Sequence, residues 1–172
     1  FSHSGVGSSI HMSGELFKTL TGTTMTGVPF AGSGASLPAL LSGDVDVSFD
    51  NMSSAFSHIQ SENLKALAVT SAERSEYLPE VPTLNEIGEH NLDQFVATAW
   101  FGLIAHKSFS EEATATMQEA LQEVMNREEF TSFVEQLGAE KGTLAGDEFK
   151  AFIADEVARW DEVAAEAGIR QE

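Results

Sequence analysis

Cysteine, basic residues and long apolar runs are what this sequence lacks. It has no cysteine, which excludes disulfides, thiolate metal sites and a cysteine nucleophile. Its nine Lys and Arg stand against 27 Asp and Glu, and the formal charge of -18 would repel nucleic acids and anionic membrane surfaces. No apolar run approaches the roughly 20 residues needed to cross a bilayer. We therefore expect no nucleic-acid partner and no direct membrane insertion.

Residue patterns that carry catalysis or hold metals are also missing. The chain has five histidines, and none forms a helical i,i+3 or i,i+4 pair of the kind that binds metals. It has neither a Gly-x-Ser-x-Gly nucleophile elbow nor the Gly-Lys-Ser/Thr of a phosphate-binding loop. A triad of Ser8, His11 and Asp50 can be imagined, but such combinations are common in any chain of this size. The sequence predicts no metal, no cofactor and no enzyme.

The first part of the chain alternates short β-favouring runs with helical segments. Strand character is found in residues 25–30, 45–49 and 64–69. Helical patterns occupy residues 35–41 and 53–60. Strand-to-helix crossovers of this kind predict a parallel sheet with helices on its faces. In such sheets ligands bind outside the carboxyl ends of the strands.

The second part begins with a long apolar run and then becomes helical. Residues 95–104 predict a strand that leaves one lobe and enters another. Within this run Trp100 and Phe101 could stack on a ligand, although an apolar strand favours a place in the core. Apolar residues at helical spacing then predict core-facing stripes on three helices, within residues 113–124, 130–137 and 149–163.

The loop of residues 4–9 has the composition of an anion-binding loop. Gly5 and Gly7 allow tight turns, and Ser8 or Ser9 can cap the helix that follows. The first turn of that helix would offer unpaired N–H groups and the positive end of its dipole to a carboxylate or phosphate. Ordinary helix capping explains the same residues, and the spacing alone favours that explanation. His11, one turn into the helix, either reaches a ligand or is a solvated or capping residue.

Two further loops are expected at neighbouring strand ends. Residues 30–34 contain Gly32 and Gly34, and residues 49–51 bring a carboxylate at Asp50. Asp50 could accept a hydrogen bond from a ligand, or it could cap the next helix. Because adjacent parallel strands end at the same edge, the three loops should converge on one crevice.

Taken together, the segments resemble the substrate-binding proteins of tripartite tricarboxylate transporters, the Bug or TctC-like receptors. The match follows chain order and corresponds to the C-terminal part of the family's full length. It is carried by four motifs in particular: Ser4-Gly5-Val6-Gly7-Ser8-Ser9-Ile10-His11, Val28-Pro29-Phe30-Ala31-Gly32-Ser33, Phe49-Asp50-Asn51 and Leu78-Pro79-Glu80-Val81-Pro82-Thr83.

The resemblance implies a type II, Venus-flytrap periplasmic-binding-protein fold of the α/β class. Residues 1–95 would form the second α/β lobe, with its parallel sheet. Residues 96–172 would form a hinge strand and C-terminal helices that pack on the first lobe, whose N-terminal part is absent. The implied receptor is a monomer in the periplasm of a Gram-negative bacterium, exported with a signal peptide not present in this chain.

The implied activity is capture of a small carboxylic acid, such as a di- or tricarboxylate, without catalysis. The implied partners are that ligand and the permease subunits of the transporter. A periplasmic sensing module is an alternative, and a hydrolase is a further one. Carried over from the family, the ligand-binding residues would be Ser4, Gly7, Ser8, Ser9, His11, Ala31, Gly32 and Asp50. The family often has threonine or asparagine where this loop has Val6 and paired serines.

Overall fold

The order of elements along the chain alternates strands and helices first and then becomes entirely helical. The computed structural model describes residues 1–169. Its elements are β1 (Ser2–His3), α1 (Ser9–Thr21), β2 (Val28–Pro29), α2 (Ser33–Ser42), α3 (Met52–Gln60), α4 (Leu84–Ile87), a 3-10 turn (Leu92–Gln94), α5 (Glu111–Met125), α6 (Glu128–Gln136) and α7 (Gly146–Glu166). Among these residues, no helix combines the length and the apolar character that crossing a membrane requires.

The sheet is parallel, as the alternating pattern predicts. β1 pairs with β2 so that Ser2 lies opposite Val28 and His3 opposite Pro29. A parallel bridge from Ser2 to Ser48 adds a third stretch of backbone on the other side of β1. Helix α1 connects β1 to β2 and α2 leads from β2 to Ser48, so each connection is the crossover that parallel pairing needs. The α/β prediction is confirmed.

The extended segments are shorter than the sequence predicts. Of residues 25–30 only Val28–Pro29 pair as a strand. Residues 45–49 contribute the bridge at Ser48, and residues 64–69 contribute a bridge from Val69 to Thr83. Strand structure requires a neighbour for the backbone N–H and C=O groups, and β propensity alone cannot supply one.

The described chain forms no strand over residues 95–104, where the apolar pattern predicts one, and the hinge role of residues from 96 onward stays a prediction. In this segment the Ala97 N–H donates to Thr70 O at 2.7 Å, but no ladder continues from that bond. The following residues run along α7, where the Trp100 ring meets Phe149 and Phe152 edge-on. Side-chain contacts with a helix therefore replace the strand partner that the apolar pattern suggests.

A compact core lies where α1 meets the connection between α4 and residue 97. Its buried members are Leu16, Leu84, Leu92, Phe95 and Ala97, with Trp160 and Val163 of α7 packed against them. Close packing also requires glycine at one position of α1, Gly14. A Cβ at Gly14 would lie 2.3 Å from the Phe1 ring, so a side chain there would collide with the aromatic group that covers β1.

The apolar faces of the later helices are not buried, contrary to the core prediction. Helices α5, α6 and α7 contain no buried residue. Trp100 is 40% exposed and Phe101 is 82% exposed, so both also depart from the core prediction. Apolar periodicity indicates that a face needs a partner, and the described residues cover these faces only in part, as where Trp160 and Val163 of α7 pack on the core.

Candidate functional site

The loop between β1 and α1 is held by its own hydrogen bonds. Gly5 and Gly7 have φ values of 110° and 82°, which favour glycine over residues with a Cβ. Ser8 Oγ donates to Gly5 O at 2.7 Å and accepts from the His11 N–H at 3.2 Å. Ser8 is therefore the N-cap of α1, which supports the capping interpretation for this serine.

Two histidines lie beneath this loop and accept its glycine amides. The Gly5 N–H donates to His3 Nδ1 at 3.2 Å, and the Gly7 N–H donates to His11 Nδ1 at 3.3 Å. Both imidazoles are buried. His11 is thus neither a solvated residue nor one that lines the cleft described below, and its ring supports the loop from behind.

The second and third loops are joined at the same sheet edge. Ser33 Oγ, at the start of α2, donates to Asp50 Oδ1 at 2.7 Å. The Asn51 N–H donates to the same oxygen at 2.8 Å. Asp50 Oδ2 is buried and has no hydrogen-bond partner among the described residues. Asp50 therefore ties the starts of α2 and α3 together, as expected for strand ends at one rim.

A cleft of about 440 Å³ opens at the start of α1. Gly7 and Ser9 of the first loop and Asn51 of the third contribute polar groups to it. Its other walls are mostly apolar and are formed by Met12, Thr98, Ala99, Trp100, Phe101, Trp160 and Ala164, with Glu156 the acidic member. Uncharged donors at a helix N-terminus thus face an apolar wall across an open cleft.

One carboxylate organises the aromatic wall. Glu156 Oε2 accepts from Trp160 Nε1 at 3.1 Å and from Trp100 Nε1 at 3.3 Å. Glu156 Oε1 accepts from Arg159 at 3.3 Å, and the Arg159 guanidinium lies 4.9 Å from the centre of the Trp160 ring. The negative charge of Glu156 is consequently engaged by indole N–H groups and a guanidinium, and it orients the two indoles.

The residues predicted for the site occupy different positions around it. Gly7 and Ser9 line the cleft, whereas Ser8 and His11 are engaged in the support of the loop. The remaining four lie outside the cleft lining: Ser4, Ala31, Gly32 and Asp50. A Cβ at Gly32 would meet no atom within 4 Å, so this loop faces open space beside the cleft.

Sequence reasoning missed several residues that line the cleft. Asn51 was visible as the neighbour of Asp50, and its side chain makes no capping bond to α3. Met12 and Trp160 carried only core signals, because their apolar periodicity is the same whether a face meets a core or a cleft. Glu156 lies on a helix rich in acidic residues, so no local feature set it apart.

The cap geometry separates the two adjacent serines experimentally. Ser8→Ala removes the acceptor of the His11 N–H and should destabilise the protein by about 1 kcal/mol, within the usual range for N-cap loss. Ser9→Ala removes an exposed hydroxyl at the first helical position and should leave stability within about 0.5 kcal/mol. Urea denaturation followed by circular dichroism compares the two. Equal midpoints would contradict the capping role of Ser8.

The described residues contain no group of three His, Asp or Glu placed to hold a metal ion. The start of α1 instead suits an anion, since the first turn of a helix carries amides without an intrahelical acceptor and Ser9 lies there beside the cleft. A carboxylate needs only such donors, without a cation, at a helix N-terminus.

Comparison with known proteins gives the architecture a wider context. The chain is 34% identical to the protein BugT of Bordetella pertussis over 170 residues, which is 99% of this chain and 51% of BugT. It superposes on the R. palustris protein Rpa4515 with adipate at a TM-score of 0.90, with 30% identity, covering 98% of this chain and 55% of that one. MatC from Rhodopseudomonas palustris with bound malate gives a TM-score of 0.87 and 30% identity over 94% of this chain and 55% of MatC.

These similarities confirm the periplasmic-binding-protein fold. The chain spans about half the length of the relatives it matches. The model of the tripartite tricarboxylate transporter family receptor, TctC, matches residues 1–169. The chain belongs to this receptor family.

Proposed function

We propose that this chain is the ligand-binding part of a periplasmic receptor that captures a small carboxylic acid and passes it to a tripartite tricarboxylate-type transporter. The observation that carries the proposal is the cleft at the start of α1, which Ser9 and Asn51 line with neutral polar side chains. None of the described residues that line the cleft is basic. The first-turn amides of a helix bind carboxylates without a cationic partner.

A ligand carboxylate would be placed by the first turn of α1. Ser8 Oγ already serves the His11 N–H, so the donors left for a ligand are the Ser9 hydroxyl and the amides that begin the helix. The Asn51 side chain can donate from the start of α3, on another side of the cleft. Two donor groups on different walls favour a short acid whose ends are held separately.

We infer a dicarboxylate as the ligand class. Two structural relatives were described with adipate and with malate, and both are dicarboxylates. Asp50 lies beside Asn51, but one of its oxygens is engaged by Ser33 Oγ and the Asn51 N–H. In this proposal Asp50 positions the distal rim, together with Ala31 and Gly32 of the adjacent loop, while the Ser9 hydroxyl and the amides that begin α1 hold the nearer carboxylate.

The proposed domain arrangement explains the exposed apolar faces. Residues 1–95 would be one lobe of the receptor, and residues 96–172 would return to the other lobe and pack on it. Several apolar side chains of this second part are open to solvent: Phe101, Ile104, Met117, Val124, Phe133 and Val157. A receptor about twice as long, like the relatives, would supply the surface that covers them.

Ligand-induced stabilisation tests the proposal directly. Adipate or malate at roughly 100 times its Kd should add about 2.7 kcal/mol to the free energy of unfolding, because only the folded state binds. Adipamide has the same chain length as adipate without charge, and it should have no effect. The measurement is thermal unfolding of the longest natural chain that contains this sequence, at constant ionic strength. Equal unfolding temperatures with adipate, malate and adipamide would contradict the carboxylate-receptor proposal.

A further inference from the structure

The anion loop is connected to a buried pair of histidines, and the direction of their hydrogen bonds is informative. His3 is 3% exposed and His11 is 6% exposed, and their ring centres are 4.4 Å apart. Each uses Nδ1 to accept an amide proton of the loop, from Gly5 and from Gly7. A ring nitrogen that accepts an N–H carries no proton of its own. In this arrangement the His11 imidazole is therefore neutral, with its proton on Nε2.

Protonation of His11 would replace its hydrogen bond with the Gly7 N–H by repulsion between two N–H groups. Imidazolium has a proton on both ring nitrogens, so Nδ1 would become a donor pointed at the Gly7 N–H. The bond at 3.3 Å could not survive without rotation of the ring or movement of the loop. Gly7 lines the cleft, so a movement there reaches the ligand site.

We propose that His11, supported by His3, is a positioning residue that holds the anion loop in its binding conformation only while its imidazole is neutral. Acidification therefore weakens carboxylate binding. This inference rests on the proposed function, because it takes the loop as the carboxylate site.

Burial and most of the groups around His11 oppose its protonation. Burial is the largest cause that lowers the pKa of His11, and the neighbouring His3 lowers it further. Glu15 raises the pKa, but its Oε1 is 3.9 Å from His11 Nε2 and both of its oxygens are bound by Lys18 Nζ at 2.8 Å. Lys18 itself lowers the pKa of His11. The Phe1 ring stacks on His11, and the Phe1 nitrogen donates to Thr26 O.

The pH window follows from the direction of this shift. The pKa of His11 in the folded protein lies below its usual value of 6.5, so the neutral form predominates at pH 6.5 and above. As pH falls below 6.5, the unfolded chain takes up a proton before the folded one does. The stability linked to neutral His11 is then progressively lost, and loop order is lost with it as pH passes through the folded pKa.

The variant His11→Asn keeps a hydrogen-bond acceptor for the Gly7 N–H and removes the titrating imidazole. The Asn side-chain oxygen can accept the Gly7 N–H from the position of Nδ1, and it does not titrate. Loss of one such hydrogen bond is worth about 1 kcal/mol, so adipate affinity of the wild type should fall by up to about fivefold as pH is lowered from about 7.5 through the folded pKa of His11. His11→Asn should show a smaller decline, equal to that of adipate's own protonation. His11→Phe should bind about fivefold more weakly at neutral pH, because it has no acceptor.

His90→Asn is the matched control. His90 is exposed with a φ of 57°, a conformation that Asn tolerates well, and it lies outside the cleft lining. It should keep the wild-type pH profile in titration calorimetry with the longest natural chain. A full wild-type decline in His11→Asn, or a wild-type affinity that stays level or rises on acidification, would overturn the inference.

A ligand-free readout keeps this inference distinct from the proposed function. Nitrogen-15 spectra of the imidazoles should show the Nε2–H form of His11 at neutral pH, and the Gly7 amide resonance should move as His11 titrates. An Nδ1–H form, or a Gly7 amide insensitive to that titration, would disprove the positioning role even if adipate binds. Failure of both adipate and malate to bind at neutral pH would instead overturn the carboxylate-receptor proposal.

Discussion

Replacing Ser9 with aspartate should abolish carboxylate binding while the fold is retained. Ser9 is exposed, lines the cleft and occupies the first position of α1. An acidic residue in the first helical turn is favourable for the helix itself, because it interacts with the positive end of the dipole. The same charge would occupy the place where a ligand carboxylate has to bind.

The expected loss is large. Two like charges about 4 Å apart repel by about 4 kcal/mol at the effective dielectric of a protein surface, which corresponds to roughly a thousandfold weaker binding. Titration calorimetry with adipate should therefore detect no binding to Ser9→Asp, and urea denaturation should show stability equal to or above that of the wild type. Asparagine has nearly the same shape as aspartate without its charge, so Ser9→Asn should lose no more than about tenfold in affinity for adipate.

An equivalent substitution at Gly32 is a less discriminating test. Gly32 has φ 92° and ψ 172°, a region that residues with a Cβ adopt only with strain. Gly32→Asp would combine that strain with charge repulsion, so a loss of binding there would have two explanations. Retention of tight binding by Ser9→Asp would move the carboxylate site away from α1, and the neighbouring Gly32 loop would then be the next position to examine.

The parts of the fold that were predictable are those with local causes. Helix α2 ends at Gly43 and α6 ends just before Gly138, and both glycines have positive φ, as the C-terminal position of a helix favours. The loop before α1 was recognisable because glycines and serines precede an apolar periodicity. That the second and third loops lie at one sheet edge followed from parallel topology alone, and the bond from Ser33 to Asp50 bears it out. The first and third loops line the cleft, whereas Ala31 and Gly32 of the second do not.

The parts that could not be predicted depend on partners distant in sequence. Whether Ser8 or Ser9 caps α1 is decided by backbone direction at the loop, which two identical side chains cannot reveal. The apolar run of residues 95–104 indicates burial or pairing without specifying against what, and here it runs beside α7. The direction of the bonds between the loop amides and His3 and His11 depends on contacts that no spacing rule describes.

Replacing Phe95 with alanine should be the most destabilising single change in the core. Phe95 is fully buried, and its ring lies 6.4 Å from the rings of both Phe17 and Phe49. Removal of a buried phenylalanine costs about 3–5 kcal/mol, through lost apolar contact and the cavity left behind. That cost is a large share of the stability of an ordinary domain, so urea denaturation should show a strongly lowered midpoint or a chain already unfolded.

The matched variant Phe101→Ala distinguishes a core residue from an unpartnered one. Phe101 is 82% exposed in the described chain, so its truncation here should change the free energy of unfolding by no more than about 0.5 kcal/mol. If another lobe covers this face in the longest natural chain, as proposed, the same substitution should cost about 3 kcal/mol there. Equal, small costs in both proteins would contradict the proposed packing of residues 96–172. A cost that appears only in the longer chain would show that Phe101 lies at the junction between the two lobes.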